Sequence, residues 1–352
     1  LWLKFTNIHF KSSILFSRII FFITFCCIVA VGIGQQKRFS FTESKMGSPL
    51  TIVFYCDDSA KATLVAKQCF TLTDSFVSIF SDYIDSSELS QLSASSAKNS
   101  RPVNVSPALW DILLQSKTAF EKSQGAFDIT IGPLSRLWRK ARKAKQFPSK
   151  EEILAKKKLV GFDKIIFDMF HHHLTLTQAG MQLDLGGIAQ GWIAQKIIDF
   201  LNTQHIQQAL VNVSGDIAVS GAPPVANGWT VGINLPENMD ELLPAKLLLQ
   251  HASVTTSGDI YQFIEQDGKR YSHIIDPRSG YGVTFQRNVT VIAKDCTTAD
   301  WLATACSILP VKKAEKLVMQ FGAAMLIGEN RKGKLTFYST KNFSAYYKTV
   351  VQ

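Results

Sequence analysis

Strand-like runs follow one another through this chain without a helix between each pair, and that order limits its fold more than any other feature. Residues 50–56 read "LTIVFYC", and "KIIFDMFHHHLTLTQAGMQLDLGG" alternates in period two on both sides of a polar tip, which predicts a hairpin. Further strands are expected in "QALVNVSGDIAVSG", "GWTVGINL", "KLLLQHASVTTSGD" and "NVTVIAKD", with a closing pair in "AAMLIGE" and "KLTFYST". Helical spacing of apolar side chains covers residues 59–84. "SPALWDILLQSKTAFEKSQG" opens on Ser106 as a cap, places Pro107 at the first helical position and stops at Gly125. Trp192, Ile193, Ile197 and Leu201 make an apolar stripe on a helix opened by glycines, and "TTADWLATACSILP" is a helix stopped at Pro310. The Ser-rich segment 86–100 reads as loop. Regular βαβ alternation is missing, so the expected class is α+β.

Residues 1–34 stand apart: Lys4, Lys11 and Arg18 with no acidic residue, then the run "IIFFITFCCIVAVGIG". A basic start, a short apolar core and the small Gly32 and Gly34 predict a secretory signal cleaved near Gln35, leaving residues 35–352 as one domain. The run is shorter than the roughly 20 residues of a spanning helix; a retained membrane anchor is the alternative. Phe25 stands where a small residue would precede a lipidated cysteine, which argues against lipidation at Cys26 or Cys27. Of the remaining cysteines, Cys56, Cys69, Cys296 and Cys306, none forms the close pair that metal or redox motifs use. An exported chain is permitted disulfides; this spacing does not require them. The net charge of +10 is concentrated, since residues 136–158 hold ten basic and two acidic residues. That stretch reads as a solvated, partly helical face. Nucleic acid is disfavoured, because no aromatic interleaving or recognised module accompanies the charge.

Several segments could carry chemistry. "DLGGIAQGW" places a glycine-opened helix start after a strand, where backbone N–H groups suit a phosphate. Asp300 and Thr304, four apart on a helix, present a carboxylate and a hydroxyl on one face, a hard-oxygen set suited to Mg²⁺. "SVTTSGD", "NVSGD" and "GAFDITIGPL" each set small polar residues against a glycine and an acid, and "SHIIDPRSGYG" adds the imidazole of His273 followed by Asp276. His171, His172 and His173 invite a metal reading, but consecutive strand residues point to opposite faces and do not converge on one ion.

Taken in order, "MGSPLTI", "DSSELSQL", "GAFDITIGPLSRLW", "LDLGGIAQGW", "VNVSGDIAVSG", "TTSGD", "SHIIDPRSGYG" and "TVIAKDCTTADWLATA" resemble the successive motifs of the ApbE family, the FAD:protein FMN transferases, from about residue 46 to the end. The resemblance implies a single large domain of mainly antiparallel sheet with flanking helices, two lobes around an FAD cleft. It implies Mg²⁺-dependent transfer of FMN from FAD to a threonine hydroxyl of an acceptor protein, releasing AMP. Two other activities are weighed beside it: an FAD pyrophosphatase giving FMN and AMP, and a flavin binder without catalysis. By the same resemblance Asp300, Thr304 and the Gly187 carbonyl hold the metal. Met46, Tyr83, Ala126, Phe127, Asp128, Asp184, Gln190 and Ile274 contact the flavin dinucleotide. His273 stands at the reacting phosphate, and Asp276 organises its turn as the second residue of the catalytic set. The implied acceptor carries a Ser/Thr motif and belongs to a respiratory or redox subunit on the periplasmic side, the outer face of the inner membrane. Three positions depart from the family pattern: Ser214 for a glycine, Gln190 for a lysine and Ser93 for an asparagine.

Overall fold

The computed structural model describes residues 36–96, 101–233, 243, 245–258, 262–331 and 333–347. The expected signal or anchor, and Asp259 of "TTSGD", lie outside the described residues. Residues from Arg38 onward gather into one compact unit. No helix among the described residues is long and apolar enough to cross a membrane.

Eight strands build the main sheet: β1 (Lys37–Lys45), β2 (Ser48–Cys56), β3 (Ala209–Val213), β4 (Asp216–Val219), β5 (Ala252–Gly258), β6 (Gln286–Ala293), β7 (Ala324–Arg331) and β8 (Lys334–Ser339). Their order in space is their order in the chain. Every pairing from β2 to β8 is antiparallel. Helices enter as insertions: α1 (Ser59–Phe80), α2 (Glu88–Ser95), α3 (Pro107–Ser123), α4 (Gly132–Ala144), α5 (Lys150–Lys157) and α6 (Ala189–Thr203) between β2 and β3, then α7 (Cys296–Ile308) and α8 (Val311–Gln320) between β6 and β7. The α+β expectation holds for this arrangement.

Alternation along the strands explains the layers. On β2, Leu50, Ile52, Phe54 and Cys56 enter the large core shared with α1, α6 and α7, while Val53 enters a second core on the opposite face. Strand β6 does the same, with Val289 and Val291 on one side and Ile292 on the other. Both faces of the sheet are therefore covered, which is why β6 is buried nearly end to end.

The hairpin expected around the triple histidine is present, pairing Ile165–Asp168 with His173–Leu176. Only His173 lies in a strand, so the expected alternation does not place the three: the His171 and His173 rings stack at 5.7 Å, His171 Nδ1 lies 2.7 Å from Asp168, and the His172 ring stacks on Trp110. Among the described residues no group of three or more His, Cys, Asp or Glu is placed to hold a metal. Cys56, Cys69, Cys296 and Cys306 are buried thiols without disulfides.

The Ser-rich segment corrects the loop expectation. Residues Glu88–Ser95 form α2, because the Ser87 side chain accepts from the Ser90 N–H at 3.1 Å and Leu89 and Leu92, one turn apart, are fully buried. Composition pointed to a loop; a cap and two apolar anchors outweigh it.

Helix α6 crosses α7 in close backbone contact. A Cβ on Gly191 would come within 2.3 Å of the Cys296 carbonyl oxygen and 2.6 Å of the Asp300 Cβ, so only a residue without a side chain fits. Replacing Gly191 by alanine forces backbone to move, at a cost of about 1–3 kcal/mol. The expected outcome is a lower urea midpoint for Gly191→Ala with an unchanged denaturant slope; an unaltered midpoint would show that the helices separate freely.

Candidate active site

One end of the main sheet opens into a cavity of about 1020 Å³. The strands contribute two adjacent two-residue turns, Met46–Gly47 and Ser214–Gly215, with positive φ at both positions of each, and the last residues of β5, Thr255–Gly258. Ser214 is held beside the first strands by its N–H, which donates to the Pro49 carbonyl at 3.2 Å. The C-terminal turn of α1, one side of α4, the start of α6 and the middle of α7 complete the wall.

Twelve of the residues singled out from the sequence line this one space: Met46, Tyr83, Ala126, Phe127, Asp128, Asp184, Gly187, Gln190, His273, Ile274, Asp300 and Thr304. Asp276 is not among the lining residues. Its carboxylate accepts from Arg278 Nε and Nη2, both at 2.8 Å, and its N–H donates to the Tyr281 carbonyl, so it closes the turn from the far side. Asp276, expected as the second residue of the catalytic set, therefore does not face the cavity. Ser93 also lies elsewhere, accepting the Leu183 N–H at 3.1 Å.

The acidic part of the wall centres on Asp300. Its carboxylate is buried and accepts the Gly191 N–H at 3.0 Å, and burial pushes its pKa up to about 7. Asp216, at the start of β4, is buried as well; desolvation and then the neighbouring Asp300 charge raise it well above the ordinary carboxylate range. Sequence reasoning placed Asp216 only in a turn. The cross-strand placement that brings it to Asp300 comes from the pairing of β4 with β5, which no local pattern reveals. Two buried acids, the charge of one raising the other's cost of ionisation, suit a divalent cation. Thr304 and Gly187 adjoin it: a Cβ on Gly187 would lie 2.9 Å from Thr304 Oγ1, so the backbone there presses directly against the hydroxyl. A carboxylate, a hydroxyl and a backbone carbonyl are hard-oxygen donors, and the residues present fit such an ion.

Asp184 and Asp128 are positioned by their own local bonds. Asp184 accepts from Ser135 Oγ at 2.5 Å and from the Gly186 N–H at 2.9 Å, fixing the glycine-rich turn. Asp128 caps a short 3₁₀ turn through the Thr130 N–H and hydroxyl, and burial raises its pKa to about 6.

His273 lies in a loop stitched by the Ser272–Val283 and Val283–Ile274 backbone bonds, and its own N–H donates to the Gln262 carbonyl at 2.7 Å. Its Nδ1 is buried without a hydrogen-bond partner. Desolvation, then the Arg142 charge, lowers its pKa to about 4, so the ring is neutral near pH 7.

The expected solvated, partly helical face is present, with Lys140, Lys143, Lys145, Lys150, Lys156 and Lys158 exposed, but part of the stretch turns inward. Leu134, Trp138 and Ala141 of α4 enter a third apolar core, and the flank beside them, Ser135, Arg139 and Arg142, lines the cavity. Arg139 pairs with Asp82 at 3.0 Å and lies 4.0 Å from the Tyr83 ring centre, while Tyr83 itself sits at the rim, 74% exposed.

These burials set a pH dependence. The folded state holds the Asp300 proton more tightly than the unfolded state does, so in chelator its contribution to stability is full below about pH 4 and is lost as pH rises from there through about 7. His273 acts oppositely, because its lowered pKa favours the fold as pH rises from about 4 to 6.5. Comparing proteins that share His273 isolates the acid. In chelator, Asp300→Asn is expected to lack the part of the fall in melting temperature between about pH 4 and pH 7 that Asp300 contributes to the unaltered chain. A parallel fall in both proteins would show that Asp300 is not the titrating group.

Known proteins resemble this chain in sequence and in fold. Residues 46–327 match the ApbE family. An FAD:protein FMN transferase of Klebsiella pneumoniae is 33% identical over 281 residues, spanning 80% of this chain and 85% of that protein. One of Treponema pallidum is 32% identical, over 88% of this chain and 90% of that protein. The crystal structure of Pseudomonas stutzeri flavinyl transferase ApbE, apo form, superposes with a TM-score of 0.79 at 27% identity, covering 90% of this chain and 99% of that one. With a family match over most of its length and relatives similar nearly from end to end, the chain belongs to the ApbE family.

Proposed function

We propose that this chain transfers FMN from FAD to the hydroxyl of a threonine on an acceptor protein, releasing AMP. The observation that carries the reading is a large cavity holding a neutral imidazole, its Nδ1 without a hydrogen-bond partner, together with a buried carboxylate pair beside Thr304 and Gly187. The names of the relatives supply the reactants: FAD as donor and a protein as acceptor.

The chain's own groups divide the work. Neutral His273 accepts the threonine proton while the alcohol oxygen forms its bond to the FMN phosphorus. The bond from that phosphorus to the bridging oxygen breaks, and the oxygen leaves with AMP. An anionic phosphate beside the ring stabilises the imidazolium that results. Asp300, Thr304 and the Gly187 carbonyl would hold Mg²⁺, with Asp216 adding charge behind them. When bound, the ion neutralises diphosphate charge that otherwise repels the nucleophile. The glycine-rich turn at Gly186–Gly187, fixed by Asp184, offers its backbone to the phosphates. The flavin and adenine contacts are assigned to Met46, Tyr83, Ala126, Phe127, Asp128, Gln190 and Ile274, all on the cavity wall.

The basic, apolar start of the chain supports export, with action at the periplasmic face of the inner membrane on a respiratory or redox subunit that carries a Ser/Thr motif. Fractionation of cells expressing the full chain tests that placement; recovery with cytosolic enzymes alone would refute it.

Incubation with FAD, Mg²⁺ and a threonine-bearing acceptor domain should yield a fluorescent acceptor band with the mass increment of FMN. Free FMN and AMP with an unlabelled acceptor would identify a pyrophosphatase instead. His273→Ala is expected to bind FAD normally and to slow labelling by about 100-fold or more. Asp300→Asn should remove the Mg²⁺ dependence together with the activity.

A further inference from the structure

Helix α4 carries three arginines near the cavity, and they are not alike. Arg136 donates to the Asp82 carbonyl at 3.0 Å, and Arg139 pairs with the Asp82 carboxylate. Arg142 has neither: its Nη1 is buried with no hydrogen-bond partner, and the charged group that acts on it most is another cation, Arg139. It lines the cavity beside His273, whose Nδ1 is likewise buried and unpartnered. Among the described lining residues only Arg139 and Arg142 are cationic, and Gln190 is neutral. The position is also rigid. Trp138, one turn earlier on α4, donates its Nε1–H to the Gly280 carbonyl at 2.9 Å, which ties the helix to the loop that carries His273.

A guanidinium turned from water toward a second cation and an imidazole is unfavourable unless an anion completes it. We propose that Arg142 and His273 form a phosphate seat, in which the Arg142 fork donates directly to a non-bridging phosphate oxygen of the bound dinucleotide. The charges acting on His273 are Arg142 and then Arg270, both cations. One cavity thus has an acidic region that takes a cation and a basic region that takes the phosphate itself, a division that holds the diphosphate in one orientation. The identity of the anion as FAD phosphate rests on the transferase reading; the seat itself does not.

Two arms separate these. In the first, inorganic pyrophosphate is titrated in chelator without flavin. It should raise the melting temperature of the unaltered chain, and should not raise that of Arg142→Gln. Equal shifts, or no shift in the unaltered chain, overturn the seat. In the second arm, with Mg²⁺ present, Kd is measured for FAD and for riboflavin, which has no phosphate. Arg142→Gln should weaken FAD by about 10- to 100-fold and leave riboflavin unchanged, with partial recovery in Arg142→Lys. Equal losses for both ligands would mark a packing role and sink the proposal, as would unaltered FAD affinity. A chain that binds pyrophosphate through Arg142 yet neither binds nor processes FAD would keep the seat and overturn the transferase reading.

Discussion

Helix α6 touches α7 through the bare backbone of Gly191, and the chemistry of the cavity depends on that contact. At this distance the Gly191 N–H reaches the Asp300 carboxylate, and the packing keeps water from it. A side chain at residue 191 would push α7 outward and hydrate the acid, returning its pKa toward the ordinary range. The close crossing therefore stabilises the fold through packing while keeping Asp300 and Asp216 in a state that is unfavourable without a counter-ion. That imbalance suits the site to a cation.

Each wall of the cavity comes from a different layer, yet the layers are tied to one another. The sheet end supplies Asp216, the paired helices supply Asp300 and Thr304, and α4 supplies cations. Trp138 joins α4 to the His273 loop, and Asp184 joins the glycine-rich turn to Ser135 of α4. Bonds of this kind hold reacting groups at fixed separations, which is the main contribution a protein makes to phosphoryl-type transfers. Asp276 belongs to this supporting set, since its contacts with Arg278 and Tyr281 shape the turn behind the imidazole.

Gln190 leaves its part of the cavity wall uncharged. The family resemblance places a lysine there, and this chain has a neutral amide. Cations reach the cavity from α4 instead, whose apolar side is anchored by Leu134 and Trp138, so that its flank turns inward. The net positive character of the segment was visible in the residues, but its direction was not.

Local features were legible in the sequence wherever the cause was local. Ser106 and Pro107 start α3, alternation marks the strands, and the four-residue spacing of Asp300 and Thr304 puts their oxygens on one helical face whatever surrounds them. Even α2 had a readable cap in Ser87 and buried anchors in Leu89 and Leu92, masked by the serines between them. Tertiary structure alone decided which residues from distant segments share a space: Asp216 meets Asp300 through strand pairing, and Arg142 meets His273 through α4 packing against a loop over a hundred positions away. The physical reason is that periodicity reports which face of an element is apolar, whereas burial and charge at a point depend on what lies opposite it.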